Sequence, residues 1–291
     1  MPEPVYLPPL PPTRPRRTPP AGATDCHAHV FGPLGRFPVS GERSYDVFEL
    51  PAQRYLAMLD AIGFARGVLV TASAYGTDNR ALRHALGEHP SLLRGVAVVD
   101  EHVAEAELLD LRDAGVRGLR FAQLSGRAPH FRGTVGTTAL TALAPVMREF
   151  GLHAQLWTQC HLFADQQREL LTLGLPLVLD HMALVDPRRG TADPAFQTLL
   201  GLLADGRIWV KLTAYRVSSS PPDYDDLRAF HEALLAANPD RLVWGSDWPH
   251  VRMTDAMPDD AHLVDLCIEW TRDAALVRKL LVDNPARLYG F

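Results

Sequence analysis

The sequence predicts a single-domain α/β protein built as a (β/α)8 TIM barrel. Eight short apolar runs alternate with longer amphipathic runs, which is the pattern of parallel strands separated by helices. The chain has 291 residues, and one such barrel commonly takes about 250. The alternative, a doubly wound open sheet, usually brings a glycine-rich phosphate loop after its first strand. Residues 25–29 read Asp-Cys-His-Ala-His at that point, which favours the barrel.

The predicted strands are nearly continuous apolar runs, as in parallel sheets that are buried on both faces. They cover residues 23–27, 67–71, 95–99, 115–121, 152–157, 177–180, 208–213 and 242–246. Amphipathic stretches predict helices over residues 53–62, 79–89, 104–113, 141–150, 165–173 and 224–238. Gly or Pro marks many junctions, and residues 274–288 predict a last helix that closes the chain.

Residues 1–22 are rich in proline and predict an extended N-terminal arm, so that the barrel itself covers residues 23–291. Proline fixes φ and lacks a backbone N–H, and such a stretch therefore forms neither a helix nor a central strand. The one basic cluster of the sequence, Arg14, Arg16 and Arg17, lies in this arm, and we interpret it as solvated.

Composition argues against several classes of function. A net charge of −5 without a concentrated basic face disfavours nucleic acid or a membrane surface as partner. No apolar run reaches the roughly 20 residues of a membrane span, and the N-terminus lacks the features of a signal peptide. Three scattered cysteines fit a reducing compartment. We therefore expect a cytoplasmic protein, and the sequence leaves its oligomeric state open.

Polar side chains stand at the ends of three predicted strands, where barrel enzymes carry their reacting groups. His27 and His29 end the first strand, and because side chains alternate along a strand, both can face the barrel mouth. The sixth strand delivers His181 and the eighth delivers Asp247. One such residue alone is more often structural, but four on one rim predict a catalytic site.

Arginines at the ends of the fourth and seventh strands, Arg120 and Arg216, indicate an anionic substrate. The planar guanidinium fork suits carboxylates, although a salt bridge across the rim is the alternative interpretation. Weaker candidates for substrate binding are Ser73, Tyr75, Asn79, Trp157 and His250. Of the aromatic residues, Tyr45 and Trp157 could stack on a flat ring. Plain packing would explain each of these weaker candidates equally well.

With these residues the chain resembles the amidohydrolase superfamily, whose signature is His-x-His after strand one and Asp after strand eight. More narrowly, it is similar to the branch that contains 2-pyrone-4,6-dicarboxylate lactonase, 4-sulfomuconolactone hydrolase and galactarolactone isomerase. The matching segments are Asp25-Cys-His-Ala-His-Val-Phe-Gly-Pro33, Gly76-Thr-Asp-Asn79, Gly115-Val-Arg-Gly-Leu-Arg-Phe121, Leu179-Asp-His-Met182, Trp209-Val-Lys-Leu-Thr213 with Arg216, and Trp244-Gly-Ser-Asp-Trp-Pro-His250. His-x-His alone is weak evidence, whereas this set in this order is specific.

The resemblance implies that the four strand-end residues form the catalytic core and that the two arginines bind a substrate carboxylate. Two departures from the lactonase pattern are visible. Ala183-Leu184 stands where that pattern has an arginine, and Trp157 stands where it has a tyrosine. The loop after the fourth strand lacks a clear match, and Arg127 or Arg132 could serve there. These departures concern the substrate rather than the reaction class.

Metal dependence has two interpretations. The branch implies catalysis without metal, and we expect no cofactor. The alternative is one Zn²⁺ held by His27, His29 and Asp247 with an open position for water. His161, after the fifth strand, could add a ligand. A binuclear centre is disfavoured because the fourth strand offers the cation Arg120, which would repel a dication.

We therefore predict an enzyme, a lactone hydrolase that opens a small lactone bearing a carboxylate. Asp247 would activate water. His27, His29 and His181 would polarise the ring carbonyl. The alternatives are a zinc-dependent amidohydrolase or decarboxylase and a lactone isomerase on the same barrel. A catalytically inactive barrel that serves as a binding module is disfavoured by the acid–base residues that remain.

Overall fold

The computed structural model describes residues 4–124 and 131–291, and it confirms the predicted barrel. Eight parallel strands form one sheet in sequence order. They are β1 (Thr24–Ala28), β2 (Arg66–Val70), β3 (Leu93–Ala97), β4 (Val116–Gln123), β5 (His153–Thr158), β6 (Leu177–Leu179), β7 (Ile208–Leu212) and β8 (Leu242–Trp244). Every strand overlaps its predicted range, because long apolar runs bounded by turn residues leave little freedom in their placement.

Backbone contacts between the first and last strands close the barrel. The N–H of Asp247 donates to the carbonyl of His27 (2.8 Å). The N–H of His29 donates to the carbonyl of Trp248 (2.7 Å). Gly245 permits this approach, since a Cβ at that position would lie 2.6 Å from the Cβ of His27. The closure therefore sets the histidines of β1 beside Asp247.

Helices cover the outside of the sheet. They are α1 (Ala52–Ile62), α2 (Arg80–Glu88), α3 (Glu105–Asp113), α4 (Thr137–Glu149), α5 (Cys160–Thr172), α6 (Pro194–Ala204), α7 (Arg228–Ala237), α8 (Asp260–Thr271), α9 (Ala274–Arg278) and α10 (Asn284–Tyr289). The amphipathic pattern of the sequence does not predict α6 and α8. The first is rich in apolar residues and the second is buried over most of its length, so neither shows a clear amphipathic pattern. The predicted last helix is divided by a π-helical turn between α9 and α10.

Apolar side chains fill the barrel at the end where its strands begin. The cluster consists of Cys26, Val68, Val70, Val96, Val178, Trp209, Val243 and Tyr289. Within it, Tyr289 of α10 packs edge-on against His153, the first residue of β5, with 5.4 Å between ring centroids. Because these side chains pack the barrel interior, the ends where the strands finish are the place to look for a small-molecule site in this barrel.

The proline-rich segment runs along α8 and the loop that precedes it. The N–H of Leu7 donates to the carbonyl of Met253 (2.8 Å). The backbone N–H groups of Arg16 and Arg17 donate to the carboxylate of Asp265 (3.1 and 2.7 Å). In the described part of the chain, no helix combines the length and apolar character needed to cross a membrane. All three cysteines are buried and unpaired.

The buried imidazole of His231 should make the fold sensitive to acid. Burial lowers the pKa of His231 to about 3, whereas the unfolded chain titrates near the ordinary value of 6.5. Between these values the unfolded state binds the proton and the folded state does not, so stability is lost as pH falls below 6.5. At pH 5 this one residue should cost about 2 kcal/mol of unfolding free energy.

The measurement is urea unfolding at pH 7 and pH 5 for the wild type and for His231→Gln. Glutamine can keep the hydrogen bond that Nε2 of His231 makes with Oγ1 of Thr271 (3.0 Å). The variant should lose about 2 kcal/mol less than the wild type between the two pH values. Equal losses in both proteins would show that His231 does not titrate in this way.

Candidate active site

The strand-end histidines form one cluster at the carboxyl ends of β1 and β6. His27 lies in β1, His29 directly follows it, and His181 follows β6. The ring centroid of His27 lies 5.1 Å from that of His29 and 4.8 Å from that of His181. All three side chains are buried. The structure thus brings three of the predicted catalytic residues into mutual contact.

Asp247 joins the cluster from the loop after β8. Its Oδ1 lies 3.3 Å from Nε2 of His29 and 3.5 Å from Nε2 of His27. Its Oδ2 accepts hydrogen bonds from the hydroxyl of Tyr215 (2.7 Å) and from Nε of Arg216 (2.8 Å). Burial, the largest single influence, would raise the pKa of Asp247, but the charge of Arg216, the neighbouring His181 and His27 and the hydrogen bond with His29 together outweigh it and hold the pKa well below its usual range. The carboxylate is therefore ionised, and Oδ1 faces the histidines.

Two imidazoles of the cluster are neutral. Burial lowers the pKa of His181 to about 4. Burial, together with the charge of Lys211, lowers the pKa of His27 well below its usual range. His29 is oriented by its Nδ1, which donates to the carbonyl of Val70 (2.7 Å). A neutral imidazole offers one N–H donor and one acceptor, which suits proton transfer and polarisation of a carbonyl.

Unusual backbone conformations accompany the catalytic candidates. Asp247 has φ 61°, and His181 begins a run of four residues with positive φ that ends at Leu184. Non-glycine residues adopt this left-handed region at a cost of about 1–3 kcal/mol each. Such conformations persist only where surrounding contacts enforce them, and they concentrate at functional sites. The strain therefore supports a functional role for the loops after β6 and β8.

A buried carboxylate that received no role in the sequence analysis, Asp180, anchors the charges behind the cluster. Its Oδ2 accepts hydrogen bonds from Nε of Arg120 (3.0 Å) and from Nε2 of Gln155 (3.1 Å). Its Oδ1 lies 3.2 Å from Nζ of Lys211 and 3.3 Å from Nδ1 of His27. Asp180 and Lys211 are fully buried, so each depends on the other for charge compensation.

The sequence held a signal for Lys211 that could have been used. It stands inside an apolar strand, and lysine is almost never fully buried unless it is paired. Gln155 in β5 offered no comparable signal. Its amide is polar but common, and only the folded barrel shows that Nζ of Lys211 donates to its Oε1 (2.9 Å).

A cleft with about 410 Å³ of empty space opens in front of the cluster. It is lined by His29, Tyr45, Ser73, Arg120, Phe131, Trp157, His181, Arg216, Asp247, Val251 and Arg252. The predicted candidates Ser73 and Trp157 thus lie at the site. Arg252 was not predicted, although it lies in the loop after β8; its guanidinium stacks over the ring of Phe131 at 4.8 Å.

Three predicted substrate-binding residues do not line the cleft. The hydroxyl of Tyr75 accepts the N–H of Gly32 (2.8 Å). Asn79 uses its amide within its own loop and on Val98, to whose carbonyl its Nδ2 donates (2.8 Å). His250 is fully buried, and its Nε2 lies 3.0 Å from Asp260. These side chains support the loops around the site.

The loop after β4 contributes less to the site than the sequence analysis allowed. Arg127 lies outside the described residues. Arg132 is exposed and does not line the cleft. Arg216 does line the cleft, but its Nη2 lies 2.6 Å from Oδ2 of Asp247 and its Nη1 donates to the carbonyl of Val251 (3.0 Å). In this structure Arg216 is thus first the counter-ion of Asp247, and carboxylate binding by it stays a prediction.

Among the described residues, one group has the spacing of a metal site. The ligand atoms of His27, His181 and Asp247 lie within 4.8 Å of one another. This trio contains His181 in place of the predicted ligand His29. Nδ1 of His29 is hydrogen-bonded to the backbone carbonyl of Val70. The expectation for His161 was wrong, because it is exposed on α5 and not part of a loop at the site.

The cations around this trio do not fit a bound zinc ion. Nη2 of Arg216 lies 2.6 Å from one ligand carboxylate, that of Asp247. Nζ of Lys211 lies 3.1 Å from Nδ1 of His27. A dication held by the trio would lie close to both of these cations and would be repelled by them, since charges in the protein interior are poorly screened.

Comparison with known proteins shows the family. Residues 24–291 match the amidohydrolase family, and the chain belongs to it. A solved structure from Agrobacterium tumefaciens, 26% identical, superimposes with a TM-score of 0.84 and covers 95% of this chain and 98% of its own. The shared barrel and the shared family agree with the strand-end site described above.

Curated relatives cover nearly the whole chain. A 4-sulfomuconolactone hydrolase of Rhizobium radiobacter is 37% identical over 93% of this chain and 91% of its own length. A 2-pyrone-4,6-dicarboxylate hydrolase of Comamonas testosteroni is 35% identical over 96% and 93%. A D-galactarolactone isomerase of Agrobacterium fabrum is 29% identical over 95% and 94%. The narrower resemblance expected from the sequence motifs is thereby confirmed.

The charge network behind the site yields a stability prediction. Asp180→Asn removes the anion that compensates Lys211 and Arg120, and it should lower the free energy of unfolding by about 3–5 kcal/mol. The matched control is Asp113→Asn, whose exposed carboxylate pairs with Arg112 on the surface; it should be nearly neutral. Chemical denaturation at pH 7 compares the two. A small loss for Asp180→Asn would mean that the buried cations find other compensation.

Proposed function

We propose that this chain hydrolyses a small lactone that carries a carboxylate. The observation that carries the proposal is the cleft itself, in which an ionised aspartate and the neutral imidazole of His181 lie beside arginines. Two relatives at 37% and 35% identity are named as hydrolases of a lactone and of a pyrone dicarboxylate. Ester-type chemistry on an anionic ring uses each of these groups.

Substrate binding is assigned to two arginines of the cleft and to Trp157. Arg120 lies at the inner wall and Arg252 at the outer one, and their positive charges favour an anionic ring that enters between them. Trp157 lines the cleft with the guanidinium of Arg120 stacked over its ring at 4.9 Å. A flat lactone would lie against this surface with its carboxylate toward the arginines.

Asp247 is the general base in this proposal. A water molecule between Oδ1 and the lactone carbonyl gives its proton to Asp247 as its oxygen bonds to the carbonyl carbon. The ring C–O bond then breaks, and the protonated carboxyl returns the proton to the departing ring oxygen. The products are a hydroxy or enol acid and the regenerated carboxylate, so atoms and protons balance.

The imidazoles act on the carbonyl oxygen. Nδ1 of His181 and Nε2 of His27 are buried without a hydrogen-bond partner among the described residues, so they are free to meet a ligand atom. Donation from an imidazole N–H would stabilise the oxyanion as it forms. One such donor is typically worth about 3–4 kcal/mol of barrier. We propose that the reaction needs no metal, because of the cations that surround the trio.

A panel of anionic lactones tests this function. The panel contains the pyrone dicarboxylate, muconolactones and aldarate lactones, each assayed with chelator-treated enzyme with and without zinc. We expect hydrolysis of at least one of them without zinc. Asp247→Asn should lower the kcat for that hydrolysis by about 10²–10⁴-fold. Tyr215→Phe, which removes one hydrogen bond to Oδ2 but keeps the carboxylate, should lose much less.

Two results would contradict the proposal. Turnover that depends on added zinc would make Asp247 a metal ligand rather than a free base. Full activity of Asp247→Asn would exclude Asp247 as the base.

A second candidate, lactone isomerisation, is favoured by the relative named D-galactarolactone isomerase. Product analysis in the same assay distinguishes the two, because an isomerase leaves the ring closed and consumes no water.

Arg252 should govern affinity more than turnover. Arg252→Gln removes a charge at the mouth of the cleft, and loss of a charge-assisted hydrogen bond is worth about 1.5–3 kcal/mol. We expect KM to rise about tenfold or more with kcat little changed. Arg168→Gln, an exposed arginine on α5, is the control and should keep the wild-type KM. An unchanged KM in Arg252→Gln would remove this residue from substrate binding.

A further inference from the structure

When Lys211 carries its charge, it can only donate in its hydrogen bond with His27. Nζ of Lys211 lies 3.1 Å from Nδ1 of His27. An ammonium group carries three protons and no lone pair, so Lys211 donates and Nδ1 accepts. A neutral imidazole holds one proton, which must then sit on Nε2. We propose that Lys211 is a positioning residue that fixes His27 as the Nε2–H tautomer.

The surroundings of Lys211 favour its charged form. Its Nζ also donates to Oε1 of Gln155 (2.9 Å) and forms an ion pair with Oδ1 of Asp180 (3.2 Å). Burial lowers the pKa of Lys211, and the carboxylate of Asp180 opposes that shift. The amine therefore faces an imidazole nitrogen and an amide oxygen as hydrogen-bond partners and a carboxylate oxygen as ion-pair partner.

Asp180 is the competitor that would impose the opposite tautomer. Its Oδ1 lies 3.3 Å from the same Nδ1 of His27. If Lys211 were absent, this carboxylate would be the neighbouring acceptor, and His27 would place its proton on Nδ1 to donate to it. The Nε2 lone pair would then point into the site. Carboxylate–histidine pairs of that kind commonly orient metal-binding imidazoles.

The tautomer decides what His27 can do in the cleft. With its proton on Nε2, His27 donates a hydrogen bond to an oxygen at the site, and it has no lone pair there for a metal. The donor role in catalysis rests on the proposed lactone hydrolysis, whereas the tautomer itself does not. Lys211 would thus select between a metal-free carbonyl-polarising site and a site of metal-binding type.

Nitrogen-15 NMR of histidine-labelled protein tests the assignment without any substrate. The His27 resonances are those missing from His27→Gln. In the wild type, the proton should be coupled to Nε2. In Lys211→Met it should move to Nδ1. Arg120→Gln is the matched control. Arg120 is also paired with Asp180, but it does not contact a ring nitrogen of His27. This variant should keep the Nε2–H form.

Zinc affinity is the second measurement. Lys211→Met should bind zinc about 10–100-fold more tightly than the wild type, the range expected when a residue that orients a ligand is changed. Arg120→Gln should gain much less, since it relieves repulsion but leaves the tautomer. A proton on Nδ1 in the wild type, or an unchanged tautomer in Lys211→Met, would overturn the proposal. Because the tautomer is read without substrate or turnover, failure of lactone hydrolysis alone would leave this test intact.

Discussion

The site depends on one buried carboxylate, that of Asp25, which links the first strand of the barrel to the loop after the last strand. Oδ1 of Asp25 accepts the backbone N–H groups of His27 (3.1 Å) and Ser246 (2.8 Å). Its Oδ2 accepts the hydroxyls of Ser246 (2.6 Å) and Tyr55 (3.0 Å). Burial raises the pKa of Asp25 to about 6 despite these bonds. Because they hold β1 against the loop after β8, they also set the distance from His27 to Asp247.

Charge compensation around the site is local, and it leaves His27 and His181 neutral. Asp247 is paired with Arg216, and Asp180 is paired with both Arg120 and Lys211. Asp247 and Asp180 are therefore each paired with a cation, as the cost of isolated buried charge requires. The histidines between the two acids need not carry charge to balance them. That arrangement leaves Nδ1 of His181 and Nε2 of His27 available for hydrogen bonding to a substrate oxygen.

The sequence was enough to place the strands and the four residues at their ends, because periodicity and strand order determine which residues reach the rim. It was not enough to orient side chains within the loops. Asn79 and His250 are in the right loops, yet each turns toward a neighbouring loop or helix to satisfy its hydrogen bonds. The pairing of Asp180 with Lys211 joins residues of different strand ends. Such partners are set by barrel geometry, which no local pattern reveals.

The strained conformation of Asp247 follows from the same closure that Asp25 provides. Its φ of 61° is enforced by hydrogen bonds on both sides of the residue. The N–H of Asp247 donates to the carbonyl of His27. The N–H of Trp248 donates to Oγ of Ser246 (2.9 Å). Ser246 is in turn held by Asp25. A carboxylate on a freely rotating loop would lose entropy each time it positioned water. Here that ordering is established on folding, so Oδ1 already faces the histidines before a substrate enters.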